Sequence, residues 1–412
     1  MTRSEKMILR RTDEMSMWLS DATAIYNQAL YHLRQECFDA EKNGRRPNYG
    51  KLDLYRIVKE SNSWKTSTLD VNAKQYVLRT VNDNWSSFYR ACKAYWKDKS
   101  KFHGKPNMPK YLKNGRTSAL IFDKSRLRNK NPKTNTLTLP KSKWTIKIPD
   151  YIGIQRIRCI KVKSFYGKVK LTISYEREAT CHKIDKGKWI GIDIGVDNTV
   201  AIATDNQTSK SWIVKGGCVK SINQFYNKRL SEMRTALWRV NAKKTSKAIQ
   251  KLNMKRNNRI DYEFHCISKA IVRTCIENGI GNVVVGHNAG WKQKCGMGRR
   301  MNQTFVSIPF NELISKIRYK CEDNGLKFIE VEESYTSKVD HASCETMERH
   351  PTYCGKRVSR GLFRTAGGKI LNADINGAIG ILRKANAFPD AECIGLRDRG
   401  DVVSPMVLRY KP

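Results

Sequence analysis

Asp193 stands near the end of an apolar run, KWIGIDIG, and Asp374 stands in NADINGAIGILRKA, where helical spacing begins. A carboxylate among apolar neighbours needs a partner or a metal ion to be tolerated. Taken singly, either acid has an ordinary explanation, and Asp374 is well placed to cap the helix after it. Two acids converging from separate segments repel one another, and divalent cations offset that repulsion. The chemistry such a site supports is phosphodiester hydrolysis, with two Mg²⁺ ions roughly 4 Å apart stabilising the attacking water and the leaving oxygen. Mn²⁺ is the expected substitute. A third acid is expected at the end of the fourth strand, yet NVVVGHN places Gly286 there. The next strand, LKFIEVEE, ends in Glu330, Glu332 and Glu333. Glu333 is the choice and Glu332 the alternative, because successive strand side chains face opposite sides.

The elements that must position these acids follow from periodicity. From Lys188 onward the order reads β, β, β, α, β, α, β, α, starting with KWIGIDIG, VDNTVAIAT and SWIVKG. Residues from about 221 to 278 read as a basic helical insertion, and NVVVGHN as a buried strand. Phe310, Leu313, Ile314, Ile317 and Cys321 form the apolar face of a helix that Gly325 is placed to stop. LKFIEVEE is the fifth strand, and the final helix turns Ile375, Ala378, Ile379 and Leu382 inward. This is the layout of an RNase H-like (RuvC) nuclease domain over 188–386, with a loop at about 339–368. Upstream, 1–103 reads as mainly helical, with Val77, Val81, Trp85, Phe88, Cys92 and Tyr95 as one core-facing stripe. Residues 104–187 change to short alternating runs such as WTIKIP, IRCIKVK and VKLTISYE, the texture of a small barrel or sheet. The expectation is a multidomain α+β protein, a helical and β-barrel half followed by the nuclease domain and a tail at 387–412.

With 78 Lys+Arg against 38 Asp+Glu, the 412-residue chain carries a formal net charge of +40. Such a charge repels itself unless a polyanion neutralises it, and nucleic acid gains affinity by releasing condensed counterions. Lys243, Lys244, Lys247, Lys251, Lys255 and Arg256 form a charge run suited to phosphate. Lys292, beside Trp291 and Gln293, is a further candidate contact. Arg90, Lys93, Lys97, Lys99 and Lys101 lie where they can also face phosphates. No run reaches the roughly 18 apolar residues of a spanning helix, and the start lacks a signal-peptide pattern. Twelve cysteines without a CxxC pair fit small buried hydrophobes in a reducing compartment. The expected location is cytoplasmic and nucleoid-associated in a prokaryote, not secreted.

Several stretches together, GIDIGVDN, VVVGHNAGWKQ, NQTFVSIPFNELISKIRYKCEDNG, EESYTSK, CGKRVSRGLFR and NADINGAIGILRKA, resemble the TnpB (OrfB) proteins of bacterial and archaeal insertion sequences. Those are related to the Fanzor proteins and the compact type V CRISPR effectors. The resemblance runs from Lys188 to Ala385, and IYNQALYHLRQ and PKYLKNGRTSALIFDKSRLR carry it into the N-terminal half. It implies an RNA-guided DNA endonuclease in which a guide (omega) RNA reads the double-stranded target and the protein reads a short flanking motif. Asp193 then matches the family's first acid and Asp374 its last, while the usual middle glutamate falls at Gly286. The pairing of Gly286 with EESYTSK is similar to the rearranged-glutamate branch, which favours Glu333 without eliminating Glu332. Two other readings are an RNA-guided DNA-binding protein that no longer cuts, and a transposase-like protein acting without RNA.

Family members commonly carry a four-cysteine zinc knuckle before the final helix. Here the loop offers His341, Cys344, His350 and Cys354, all zinc-ligand types but with no CxxC half. The expectation is a degenerate, metal-free loop. Asp197 reads as a structural turn residue, and His287 as a satisfied polar residue ending a buried strand.

Overall fold

The computed structural model describes the chain apart from residues 46–52, 114–117, 206–207, 209, 242–244, 289–297, 388–398 and 411–412. The described residues form two compact units, Met1–Arg177 and Glu178–Pro412.

In the first unit, strand β1 (Thr2–Leu9) precedes helix α1 (Asp13–Lys42), which Thr12 caps by accepting from the Met15 amide. Helix α2 (Val71–Lys97) follows, capped by Asp70. Strands β2 (Leu120–Asp123), β3 (Ile157–Phe165) and β4 (Lys168–Glu176) complete an antiparallel sheet in the order β1-β4-β3-β2. A separate antiparallel sheet joins Arg128–Asn131, Thr136–Thr138 and Thr145–Lys147. Val77, Val81 and Trp85 of the α2 stripe are buried with Phe122, Ile160 and Leu171, so helices and sheet share one core. The opening strand departs from the expected helical start. Its inward residues are Arg3, Glu5, Met7 and Leu9, and that mixture of charged and apolar types hides the period of two.

In the second unit, strands β5 (Asp185–Asp193), β6 (Asn198–Thr204) and β7 (Ser211–Lys215) lead to helices α3 (Gly217–Asn241) and α4 (Lys247–Glu277). Strand β8 (Ile280–Gly286), helix α5 (Phe310–Asp323), strand β9 (Lys327–Val331), helix α6 (Ala373–Lys384) and strand β10 (Met406–Val407) follow. The sheet runs β9-β8-β5-β6-β7-β10, with β5 central and parallel to β8, and β6 antiparallel to it. Alternation along β5 and β8 divides the interior. Ile190, Ile192, Val283 and Val285 face one core with α4 and α5, while Val284 faces the other with α6. Helix α5 ends as its composition dictates: Gly325 adopts φ 73°, and the Leu326 amide returns to the Cys321 carbonyl at 2.9 Å.

The 221–278 stretch is more than an insertion. Only the first turns of α4 carry the charge run, and beyond them Ile260, Phe264, Ile267 and Ile271 are buried against the sheet. Fully burying each such side chain contributes about 1.5–3 kcal/mol. The expected tail likewise joins the fold, because β10 pairs parallel with β7 at the sheet edge. Two residues of pairing leave no readable period. No helix among the described residues is long and apolar enough to cross a membrane.

Candidate active site

Asp193 ends β5 on the face that receives α6, because Ile192 before it points into the opposite core. Two glycines let the helix come close. A Cβ at Gly191 would lie 2.3 Å from the Ala378 carbonyl oxygen, and one at Gly377 would lie 2.7 Å from Asp193 Oδ2. The cap of α6 is Asn372, whose Oδ1 accepts from the amides of Asp374 and Ile375 at 3.1 and 3.2 Å. The Asp374 carboxylate is thereby released from capping. It accepts from Asn198 Nδ2 at 2.7 Å and from an Arg357 guanidinium nitrogen at 3.3 Å. Arg357 lies on the exposed ribbon strand Lys356–Ser359 and was not singled out in the sequence. Its neighbourhood with Asp374 depends on a fold-back that no spacing reveals.

Glu333 lies two residues beyond β9, which runs beside β8 in parallel register. Its amide donates to Asn288 Oδ1 at 2.9 Å. Its side chain occupies the space that a side chain at position 286 would take. A Cβ on Gly286 would fall 2.6 Å from both Glu333 Cγ and Glu333 Oε1, and 2.5 Å from Ile381 Cδ1. Glu333 Oε1 is buried with no hydrogen-bond partner. Glu332 points the other way and is exposed.

The electrostatics follow from this crowding. Burial first, then the neighbouring Asp374, pushes the Asp193 carboxyl up to about 7. Burial and then Asp193 push Glu333 up to about 8, against the pull of Lys384. Asp193 thus stands between the other two acids, feeling Asp374 and in turn raising Glu333. Among the described residues, no three Asp, Glu, His or Cys side chains converge tightly enough to hold one ion as placed. The donor types, hard carboxylate oxygens with one orphaned and buried, suit Mg²⁺ or Mn²⁺.

Residues 172–292 match the OrfB_IS605 family, described as a probable transposase, and residues 310–381 match the Cas12f1-like TNB domain. A TnpB-like protein, ORF457 of Acidianus two-tailed virus, is 23% identical over 410 residues, covering 89% of this chain and 82% of that protein. The CRISPR-associated endodeoxyribonuclease Cas12f1 of Sulfoacidibacillus thermotolerans is 29% identical over 216 residues, 50% of this chain and 48% of that protein. A Cas12f1–sgRNA–target DNA complex solved by cryo-electron microscopy shares the fold at a TM-score of 0.55 and 16% identity, over 90% of this chain and 83% of that one. In both halves of its second unit this chain is thus similar to TnpB-like proteins and to compact type V effectors.

Other positions sort by what they touch. His341 is fully buried, with Nε2 2.8 Å from the Thr336 carbonyl and Nδ1 2.9 Å from an Arg383 nitrogen. Both ring nitrogens are spent, so it does not face Cys344 as a ligand. His350 Nε2 lies 2.8 Å from the Thr346 carbonyl, and Cys354 is exposed. The zinc-type set is therefore not assembled, because hydrogen bonds hold the histidines elsewhere. Asp340 and Glu345 gather the loop instead. Asp340 accepts the Ala342 and Ala366 amides, and Glu345 accepts those of Asp340 and Cys354.

Asp197 pairs with Lys220 and Arg360, and His287 Nε2 lies 3.1 Å from Asn311 Oδ1. Lys247, Lys251 and Lys255 are exposed, and the last two line an open groove with Arg259 and Tyr262. Arg256 departs from the expected phosphate contact. Its guanidinium turns inward to Asn223 Oδ1 at 3.0 and 2.7 Å and to the Ser307 carbonyl, pinning α4 to α3. Lys243, Lys244, Trp291, Lys292 and Gln293 lie outside the described residues.

Proposed function

We propose that this protein is a guide-RNA-directed DNA endonuclease whose RNase H-like (RuvC) unit cuts through divalent-metal phosphodiester hydrolysis at Asp193, Glu333 and Asp374. The observation that carries the reading is Glu333 filling the void over Gly286 with a buried, unpartnered carboxylate oxygen beside Asp193. Buried polar atoms are seldom left unsatisfied without a functional reason. Mg²⁺ bound there would supply Lewis-acid activation of water and charge stabilisation at the phosphorus. Asp193, Glu333 and Asp374 would hold it, with Asn198 orienting the Asp374 carboxylate. Arg357 offers a guanidinium within reach of a phosphate entering beside Asp374. The Gly286–Glu333 exchange supports placing the protein in the rearranged-glutamate branch.

The partners proposed are a guide RNA and double-stranded target DNA. The net charge of +40 supports them, as do the relatives named as an endodeoxyribonuclease and as an sgRNA–target DNA complex. Exposed Lys251 and Lys255 are proposed phosphate contacts.

The test is plasmid cleavage with the copurified RNA and Mg²⁺. Wild type should cut a matched target, EDTA should stop it, and Asp193→Ala should not cut. Cutting by Asp193→Ala would remove the site assignment. One observation favours a second reading, a guided DNA-binding protein that no longer cuts: the acids do not converge on one point as placed, and Arg357 sits on Asp374. Guided DNA binding with no nicking at any Mg²⁺ or Mn²⁺ concentration would establish it. Strand transfer by protein isolated free of RNA would instead favour a transposase.

A further inference from the structure

The turn that carries Glu333 is tied to helix α6 at its surface by Lys384, which donates to Ser334 Oγ at 2.5 Å, and in the interior by His341. Thr336 folds back on Glu333, donating its amide and its hydroxyl to the Glu333 carbonyl at 3.3 and 2.9 Å. The Thr336 carbonyl in turn accepts from His341 Nε2. This fixes the tautomer, since the proton on Nε2 leaves Nδ1 free to accept from Arg383 Nη1. Arg383 belongs to α6, the helix that begins beside Asp374, and it also donates to the Glu345 carbonyl at 2.9 Å. His341 and Arg383 are both buried, and burial holds the imidazole down to about 4, hence neutral.

The helix is shaped to receive the ring. A Cβ at Gly380 would lie 2.5 Å from His341 Nε2 and 2.9 Å from Thr336 Cβ. Gly377, one turn earlier, makes the same allowance for Asp193. A bridge of this kind does for a carboxylate turn what outer hydrogen-bond partners do for metal ligands, whose loss costs about 10–100-fold in affinity.

We infer that His341 is a positioning residue: by bridging the Thr336 carbonyl to Arg383, it sets where Glu333 stands relative to Asp193 and Asp374 and so tunes divalent-cation affinity. The inference rests on the proposed metal-dependent reading of that site. It assigns His341 a role as a polar strut that needs no zinc.

The experiment measures Mn²⁺ binding to the full-length protein by electron paramagnetic resonance, alongside the Mn²⁺ dependence of target cleavage. His341→Ala should weaken binding about tenfold or more and shift the cleavage curve equally, while guide-RNA and target binding without metal stay at wild-type affinity. His341→Gln, which keeps a donor and an acceptor, should recover most of the loss. Gly380→Ala, which crowds the ring without removing it, should weaken binding in the same direction, and it serves if His341→Ala fails to fold. Wild-type Mn²⁺ affinity in both His341→Ala and Gly380→Ala overturns the inference alone, as does His341→Gln binding no better than His341→Ala. Wild-type protein that binds no Mn²⁺, or binds it equally after Asp193→Asn, overturns the metal reading and this inference with it.

Discussion

The two ends of helix α6 face their neighbours in opposite ways. At its start, Gly377 admits Asp193 and the helix presents Asp374, so that acids crowd together and one Glu333 oxygen has no partner. Toward its end, Gly380 admits His341, and Arg383, Thr336 and Glu345 close a set of hydrogen bonds around it. The same device, a glycine making room for a polar side chain, serves both. What differs is satisfaction. A buried polar cluster that is complete holds the fold, whereas one left short of partners stores a demand that a ligand can meet.

The largest effect should come from removing the deficient end. Asp193→Asn is expected to lower cleavage by about a thousandfold or more, equal to about 4 kcal/mol of transition-state stabilisation. Single-turnover assays would check it. Glu333→Gln should fall in the same range and Glu332→Gln should not, so equal effects would undo the distinction between them.

Space rather than charge is tested at Gly286. Gly286→Ala should destabilise the protein by about 1–3 kcal/mol in denaturant unfolding, because its Cβ meets Glu333 and Ile381. Adding Glu333→Ala should relieve most of that cost. Simple additivity in this double-mutant cycle would mean the two positions do not share the void.

A pH experiment separates the two ends. Asp193 and Glu333 titrate higher in the folded state than in an unfolded chain, toward about 7 and 8. The folded state therefore binds the extra protons. Their stabilising contribution is complete below the unfolded carboxylate range and is lost as pH rises through 7 and 8. In EDTA, Tm should fall between pH 5 and pH 8, and Asp193→Asn with Glu333→Gln should flatten the slope. Mg²⁺ should restore Tm at the upper end of that window. A wild-type Tm indifferent to Mg²⁺ at pH 8 would contradict the crowded-acid description.

The smallest effects concern the basic helix. Lys251→Ala should lower the slope of log affinity against log salt for nucleic acid by about one while leaving Tm unchanged. Arg256→Ala should do the reverse, lowering Tm through its lost bonds to Asn223 and Ser307.

Much of the second unit was legible because its strands and helices carry clean periods, and because Gly286 with a glutamate-rich strand end is a local pattern. That Glu332 and Glu333 face opposite sides needed only the alternation of a strand. Other features were hidden for physical reasons. β1 mixes charges into its inward face, and β10 is two residues long. His341 has the same residue type whether it ligates zinc or bridges a carbonyl to an arginine. Its partner Arg383 is 42 residues away, beyond any local spacing. Arg256 sits inside a run of lysines, and only packing shows that its fork turns inward.

Because α6 supplies both Asp374 and the packing surface for β5, the proposed acid cluster is complete only after synthesis has passed residue 384. The first unit closes much earlier, once the segment through Glu176 pairs with Thr2–Leu9. A nascent chain can thus fold its first unit well before it owns a complete set of acids.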